Sequence, residues 1–267
     1  MDWIEALILG FVQGLTEFLP VSSSGHLEIG KQLLGIDTPD SLRFTVVVHG
    51  ATVLSTLVVF RKDIVNLFSG LLKFRWNEET KYIAKIAFSM IPIAVVGLFF
   101  KDYVEEVFNT TSMLLLVGLM LLITASFLTF SYYKKSGYRD ITFRDALVIG
   151  IAQTFAVLPG ISRSGATIAT GLIIGNKRTE VARFSFLMVL VPIMGENILN
   201  LLKNDTPQAA TGNEIGALVM LAGFIAAFVS GLLACKWMIE IVKRGKLIYF
   251  AFYCALVGAL AIGGFVW

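Results

Sequence analysis

The 267-residue chain is 56% hydrophobic, with a mean hydropathy of +0.78. Soluble domains are about half apolar, so a water-soluble fold cannot hide this much apolar surface, and the chain reads as an integral membrane protein. Its net charge of +3 comes from basic residues scattered through loops, not gathered in a stripe with interleaved aromatics, which argues against a nucleic-acid partner.

The first apolar stretch begins directly after Met1 and Asp2, with no basic leader and no small-residue cleavage pattern, so it is assigned to the mature fold and not to a removable signal. Residues 3–19 and 22–34 form two short segments divided by Pro20 and a small polar cluster. The second is too short and too interrupted for the roughly 20 residues of a spanning helix. Three better spans follow at residues 44–60, 83–100 and 113–130. The same order then recurs: short segments 143–158 and 162–174 around Pro159, followed by spans 184–202, 216–235 and 248–266. Each short pair is expected to be a re-entrant helical hairpin, irregular backbone being tolerated at depth where protein buries it; four poor spanning helices are the alternative. Cys235 and Cys254 fall in or beside these spans, lack metal-type spacing and read as small buried hydrophobes.

The recurrence is also literal. At an offset of 140, Ala6, Leu7, Gly10 and Gln13 return as Ala146, Leu147, Gly150 and Gln153; Ser22, Ser24, Gly25, Gly35, Arg43 and Phe44 return as Ser162, Ser164, Gly165, Gly175, Arg183 and Phe184. Polar matches inside apolar surroundings are hard to obtain by chance, so the chain is read as one all-α membrane domain built by duplication, with repeat one at about 1–133 and repeat two at about 141–267. Three spans per repeat invert the second repeat relative to the first. Lys and Arg concentrate on cytoplasmic loops, and this topology puts seventeen of them on one side, Arg61 to Lys246, against only Lys31, Arg43, Lys101 and Lys203 on the other. Both termini are then extracytoplasmic, and the hairpin tips approach each other near the midplane, where inverted repeats build binding sites.

The tips carry the polar residues. The first has Gln13, Glu17, Pro20, Ser22, Ser23, Ser24, Gly25 and His26; the second has Gly160, Ser162, Arg163, Ser164, Gly165 and Thr167. Ionisable groups inside a membrane mark function by default, so Glu17, His26 and Arg163 need explaining. If helices start near Ser22 and Ser162, these serines are N-caps and two positive helix ends face one another. With the Arg163 guanidinium added, the expected guest is an anion, phosphate above all. Gln13 and Glu17, four apart on one helix face, could hold a divalent cation, Mg2+ or Ca2+. Ser23 and His26 offer a nucleophile and a proton carrier on one turn. The plainer readings stand beside these: Ser22, Ser24 and Ser164 as caps only, Glu17 with Arg163 as a structural ion pair, His49 and Thr52 as satisfied core residues. Gly258, Ala259, Gly263 and Gly264 could pack a second subunit as a homodimer, or a neighbouring helix.

Residues 13–26, QGLTEFLPVSSSGH, and 158–167, LPGISRSGAT, resemble the two signature segments of the bacterial undecaprenyl pyrophosphate phosphatases, also called the bacitracin-resistance type. The likeness extends over the whole chain, including FTVVVHGAT at residues 44–52. It implies hydrolysis of undecaprenyl diphosphate to the monophosphate and phosphate, recycling the lipid carrier of cell-wall precursors in the plasma membrane, with a divalent cation and an extracytoplasmic site. By motif, the acidic pair falls on Gln13 and Glu17, where the family allows Glu or Gln first. Here Gln13 removes one carboxylate and leaves more of the burden on Glu17. The resemblance places catalysis on Glu17, Ser23, His26 and Arg163, and phosphate binding on Ser22, Ser24, Gly25, Ser162, Ser164, Gly165 and Thr167. A flippase moving the lipid phosphate by rocking inverted repeats would use the same architecture.

Overall fold

The computed structural model describes residues 1–36, 41–100, 113–134, 137–202 and 216–266. Lys101, Lys135 and Lys203 of the charge comparison lie outside them. Helix dominates these residues, joined by short turns and one isolated parallel bridge between Arg139 and Asn176.

Helix α1 (Trp3–Phe18) starts from a capping box, Asp2 accepting from the amides of Ile4 and Glu5 while Glu5 accepts from the Asp2 amide. Helix α2 (Ser23–Leu34) is capped by Ser22 and stopped by Gly35. Helix α3 (Ser41–Val59) bends by 73° into α4 (Arg61–Leu71), so the span expected at 44–60 runs on into an angled helix. The span expected at 83–100 is two helices, α5 (Glu78–Ser89) and α6 (Ile91–Phe99), interrupted at Met90 because Pro92 lacks the N–H that would continue the ladder. Then come α7 (Met113–Tyr133), α8 (Phe143–Phe155) with its own Thr142–Asp145 capping box, α9 (Arg163–Ile173), α10 (Arg178–Leu202), α11 (Ala217–Arg244) and α12 (Ile248–Val266).

Glu78–Phe99, Met113–Tyr133, Arg178–Leu199 and Ala217–Arg244 are each long and apolar enough to cross a bilayer, and the bent α3–α4 pair passes as one unit. The shorter apolar helix Ile248–Gly264 coincides with the sixth expected span. Outward-facing large residues are apolar, as at Leu98 (79% exposed) and Phe252 (71%). Such surface is an aggregation liability in water and an ordinary lipid contact in a bilayer. On α12, Tyr249, Phe252, Leu256 and Leu260 face out, while Ala251, Cys254 and Ala261 are buried on the side that packs α7. A Cβ on Gly118 of α7 would meet the Gly258 carbonyl at 2.9 Å, so Gly258 packs its own chain's helix, whereas a Cβ on Gly263 would meet nothing within 4 Å.

The packing crosses between the halves. Helix α1 lies along α11, so close that a Cβ on Gly10 would strike the Gly223 backbone. Its counterpart at the 140-residue offset, α8, lies on α5 and α6, where a Cβ on Gly150 would strike the Ser89 backbone. Residues 78–99 correspond to 218–239 of α11 in the same register. Each half therefore lends its second span to the other half's first short helix. Phe44 and Phe184, another equivalent pair, are both fully buried on α3 and α10, which touch.

Candidate active site

The two Ser-rich turns meet. Ser22 Oγ accepts from the Gly25 amide at 3.3 Å and Ser162 Oγ from the Gly165 amide at 3.0 Å, each capping a short helix. Ser24 Oγ lies 3.4 Å from Ser22 Oγ, and Ser164 Oγ 3.2 Å from Ser162 Oγ. Ser164 also donates across the turns to the Leu19 carbonyl at 3.3 Å. A Cβ on Gly25 would come within 3.5 Å of Gly160 Cα, and one on Gly165 within 3.2 Å of Pro20 Cβ. Positions 20 and 160, like 25 and 165, are equivalent at the offset of 140, so the two turns touch reciprocally. They differ in backbone. Ser22 holds φ +69°, a left-handed conformation costing a non-glycine residue about 1–3 kcal/mol, while Ser162 sits at −75°. In the second turn the positive φ falls on Gly160, at +99°.

Glu17 is the hub. Its Oε2 accepts from Ser23 Oγ at 2.6 Å and from Gln13 Nε2 at 2.8 Å, and lies 3.8 Å from His49 Nε2; its Oε1 stands 3.4 Å from Arg163 Nη2. The Glu17 side chain is 5% exposed and that of Arg163 20%. Burying the carboxylate alone would be expensive, and the ring of donors offsets that desolvation. Behind Glu17 and Ser164, residues Phe18, Val53, Phe186, Val189, Leu190 and Ile193 form an apolar wall around a cavity of about 20 Å³, room for about one water. With water largely excluded, the local charges act more strongly.

His26 points elsewhere. Its Nδ1 donates to the Ser22 carbonyl at 2.8 Å, leaving Nε2 to face the Tyr253 hydroxyl at 2.8 Å, and the two rings stack with centroids 5.5 Å apart. Ser23 and His26 share a turn but have different partners. Thr167 Oγ1 donates to the Arg163 carbonyl at 2.9 Å, a bond within its own helix. Cys254 Sγ lies 3.4 Å from the Pro20 carbonyl, so this buried thiol helps seat the first turn.

Gln13 turns Nε2 to the Glu17 carboxylate, and its Oε1 is a buried oxygen with no hydrogen-bond partner. Among the described residues no three His, Cys, Asp or Glu side chains gather as a metal site. With the Gln13 amide turned over, Gln13 and Glu17 would offer two oxygens to a hard cation whose remaining ligands are water and substrate phosphates, as is common for Mg2+. Sequence alone does not favour a site role for His49 over a place in the core, and does not point to Tyr253. A histidine inside the apolar run of α3 was the available signal for the first; Tyr253 is separated from His26 by 227 residues and had none.

The family model described as Bacitracin resistance protein BacA matches residues 6–260. Among similar proteins, the undecaprenyl-diphosphatase of Bacteroides fragilis is 59% identical over 263 residues, 98% of each chain. That of Parabacteroides distasonis is also 59% identical, over 98% of each, and that of Christiangramia forsetii 52%, over 98% of each.

Proposed function

The chain belongs to the bacitracin resistance protein BacA family, and from that premise we propose that it is an integral membrane phosphatase converting undecaprenyl diphosphate to undecaprenyl phosphate and inorganic phosphate. The observation that carries this reading is the convergence of Ser23, His49 and Arg163 on the Glu17 carboxylate between two helix N-termini. The shared name of the relatives speaks for hydrolysis over transport. Purified protein in detergent should release phosphate from the C55 diphosphate; a flippase alone would release none.

In this mechanism Arg163 and the first-turn amides of α2 and α9 hold the diphosphate, since both helix ends are electropositive. By one route Ser23 Oγ attacks the terminal phosphorus and its proton passes to Glu17 Oε2, 2.6 Å away. The bond from phosphorus to the bridging oxygen breaks, the lipid monophosphate leaves, and water then frees phosphate from Ser23. By the other route water attacks directly and Glu17 takes its proton. His26, with the Tyr253 hydroxyl on Nε2, is the second proton carrier. A divalent cation held by Glu17 and Gln13 would neutralise charge on the diphosphate. Fixed charge and donors, more than covalent chemistry, carry most of the rate.

We read the halves as inverted repeats and the pairs α1–α2 and α8–α9 as re-entrant hairpins. Helix lengths of 16, 12, 13 and 11 residues, against the roughly 20 that span, support this, as does the crossed packing. The Lys and Arg asymmetry supports extracytoplasmic termini and a site open to that side. Self-association would use Ala259 and Gly263 on the outer part of α12. Labelling of single cysteines from either side of sealed vesicles tests the topology.

A further inference from the structure

Away from the Ser-rich turns, a cavity of about 460 Å³ opens where α11 meets α12, inside the ~300–1,000 Å³ range of small-ligand sites. Gly245 creates it. At φ +69° it stops α11, and the Lys246 amide donates back to the Ile241 carbonyl at 3.2 Å, so Lys246 and the start of α12 face the last turns of α11. One wall is aromatic: Trp237 and Phe250 meet edge to face with centroids 6.5 Å apart, and Tyr249 stands beside them. Arg244 and Lys246 add two cations to the cavity lining, beside Glu240.

The charge there is positive. Arg244 Nε is bound to Glu240 at 2.8 Å, which offsets one cation. Lys246 meets no carboxylate within ion-pair distance among the described residues, and Lys243 belongs to the same last turn. A Cβ on Gly245 would strike the Arg178 guanidinium at about 2.5 Å, so a fourth cation presses on the turn. Against these stand Glu240 and roughly half a negative charge from the helix end.

Depth selects the kind of anion. Helix α11 has 28 residues, a length of roughly 42 Å at ~1.5 Å per residue, while the hydrocarbon core is about 30 Å thick. The only charged residues of α11, Lys236, Glu240, Lys243 and Arg244, all fall in the last turns, so the excess length belongs at that end, at headgroup depth, where Trp and Tyr are at home.

We infer that this cavity holds an anionic phospholipid, its phosphate on Lys246 and Arg244 and one acyl chain along Trp237, Ile241 and Phe250. A free phosphate would leave the aromatic wall unused, and a zwitterionic lipid brings its own cation to Arg244 and Lys246. The test is native mass spectrometry of the purified protein in detergent, titrated in parallel with phosphatidylglycerol, phosphatidylcholine and inorganic phosphate. Wild type should retain phosphatidylglycerol in preference to phosphatidylcholine, and Lys246→Gln should hold one bound lipid fewer, with affinity weaker by roughly fivefold for the one lost charge. Phosphate release from the diphosphate should be unchanged in Lys246→Gln, which reports an intact fold; Trp237→Leu gives a second, uncharged perturbation that should also weaken retention. Equal retention of the two lipids, equal retention by wild type and both variants, or equal occupancy by inorganic phosphate would each overturn the inference.

Discussion

Ser23 and Arg163 lie 140 residues apart, each the first residue of its helix, α2 and α9, and they contact the two oxygens of one carboxylate: Ser23 Oγ on Glu17 Oε2 at 2.6 Å, Arg163 Nη2 on Oε1 at 3.4 Å. Glu17 has Val157 at its own equivalent position. At the two corresponding first-turn positions the chain carries a hydroxyl and a cation around a single acid.

Removing either charge should abolish most turnover. Glu17→Gln and Arg163→Gln are each expected to lower kcat by about 10²–10³-fold, the effect of deleting one preorganised electrostatic contact. Breaking a buried pair also costs about 3–5 kcal/mol of stability, so thermal unfolding in detergent must accompany the kinetics. The double variant should regain part of the lost stability and none of the activity; near-normal turnover in a folded single variant would sink the assignment.

Ser23→Ala separates the two chemical routes. If Ser23 is the nucleophile, kcat falls below about one hundredth of wild type and no phosphoserine forms on rapid quenching with labelled substrate. Activity retained within tenfold would assign the attack to water.

His49 should matter through the carboxylate it faces. Its Nδ1 donates to the Thr45 carbonyl at 2.8 Å, which directs Nε2 at Glu17. His49→Gln, which can present a donor, is expected to retain more activity than His49→Leu, which cannot. The gap should be up to about 10-fold in kcat, because Nε2 at 3.8 Å is beyond hydrogen-bond distance and only a polar contact with the carboxylate is lost. Equal kcat in the two variants would return His49 to the core.

Gln13→Glu places a second carboxylate beside Glu17 and should lower the concentration of Mg2+ or Ca2+ giving half-maximal activity after chelation. Gln13→Leu should raise it. An activity indifferent to chelator in wild type would remove the cation from the mechanism.

Glycines give a contrast in stability. Gly150→Ala would strike the Ser89 backbone and should cost about 1–3 kcal/mol by overpacking. Gly50→Ala, with nothing within 4 Å, should be neutral or stabilise α3 by up to about 1 kcal/mol, the helix propensity gain. Thermal unfolding in one detergent compares them directly.

Much of this was legible in the sequence because hydropathy and length act locally. The spans expected at 113–130 and 184–202 lie within α7 and α10, that at 216–235 lies within α11 but for its N-cap Gly216, and the caps at Ser22 and Ser162 follow from residue type and spacing. Less legible was anything set by packing at a distance. The 73° turn between α3 and α4 has no proline or glycine at the break, and Phe60, its pivot, is buried. Tyr253 reaches His26 because α12 passes the first turn, and Ser23 and His26, three apart and so on one face of α2, are drawn to different partners, Ser23 to Glu17 and His26 to the Ser22 carbonyl and Tyr253. Phosphate ligation by Thr167, expected from its motif, has instead an intrahelical bond occupying its hydroxyl proton.

The crossed packing also sets an order of events during synthesis. Helix α1 emerges first, yet the surface it lies on, α11, begins at residue 217. Such distant pairings form late and leave early segments unsatisfied while translation proceeds. Until most of the chain has entered the membrane, the glycine face of α1 lacks its partner and Glu17 lacks Arg163. A truncated nascent chain therefore cannot assemble the acid and its cation before the second half arrives.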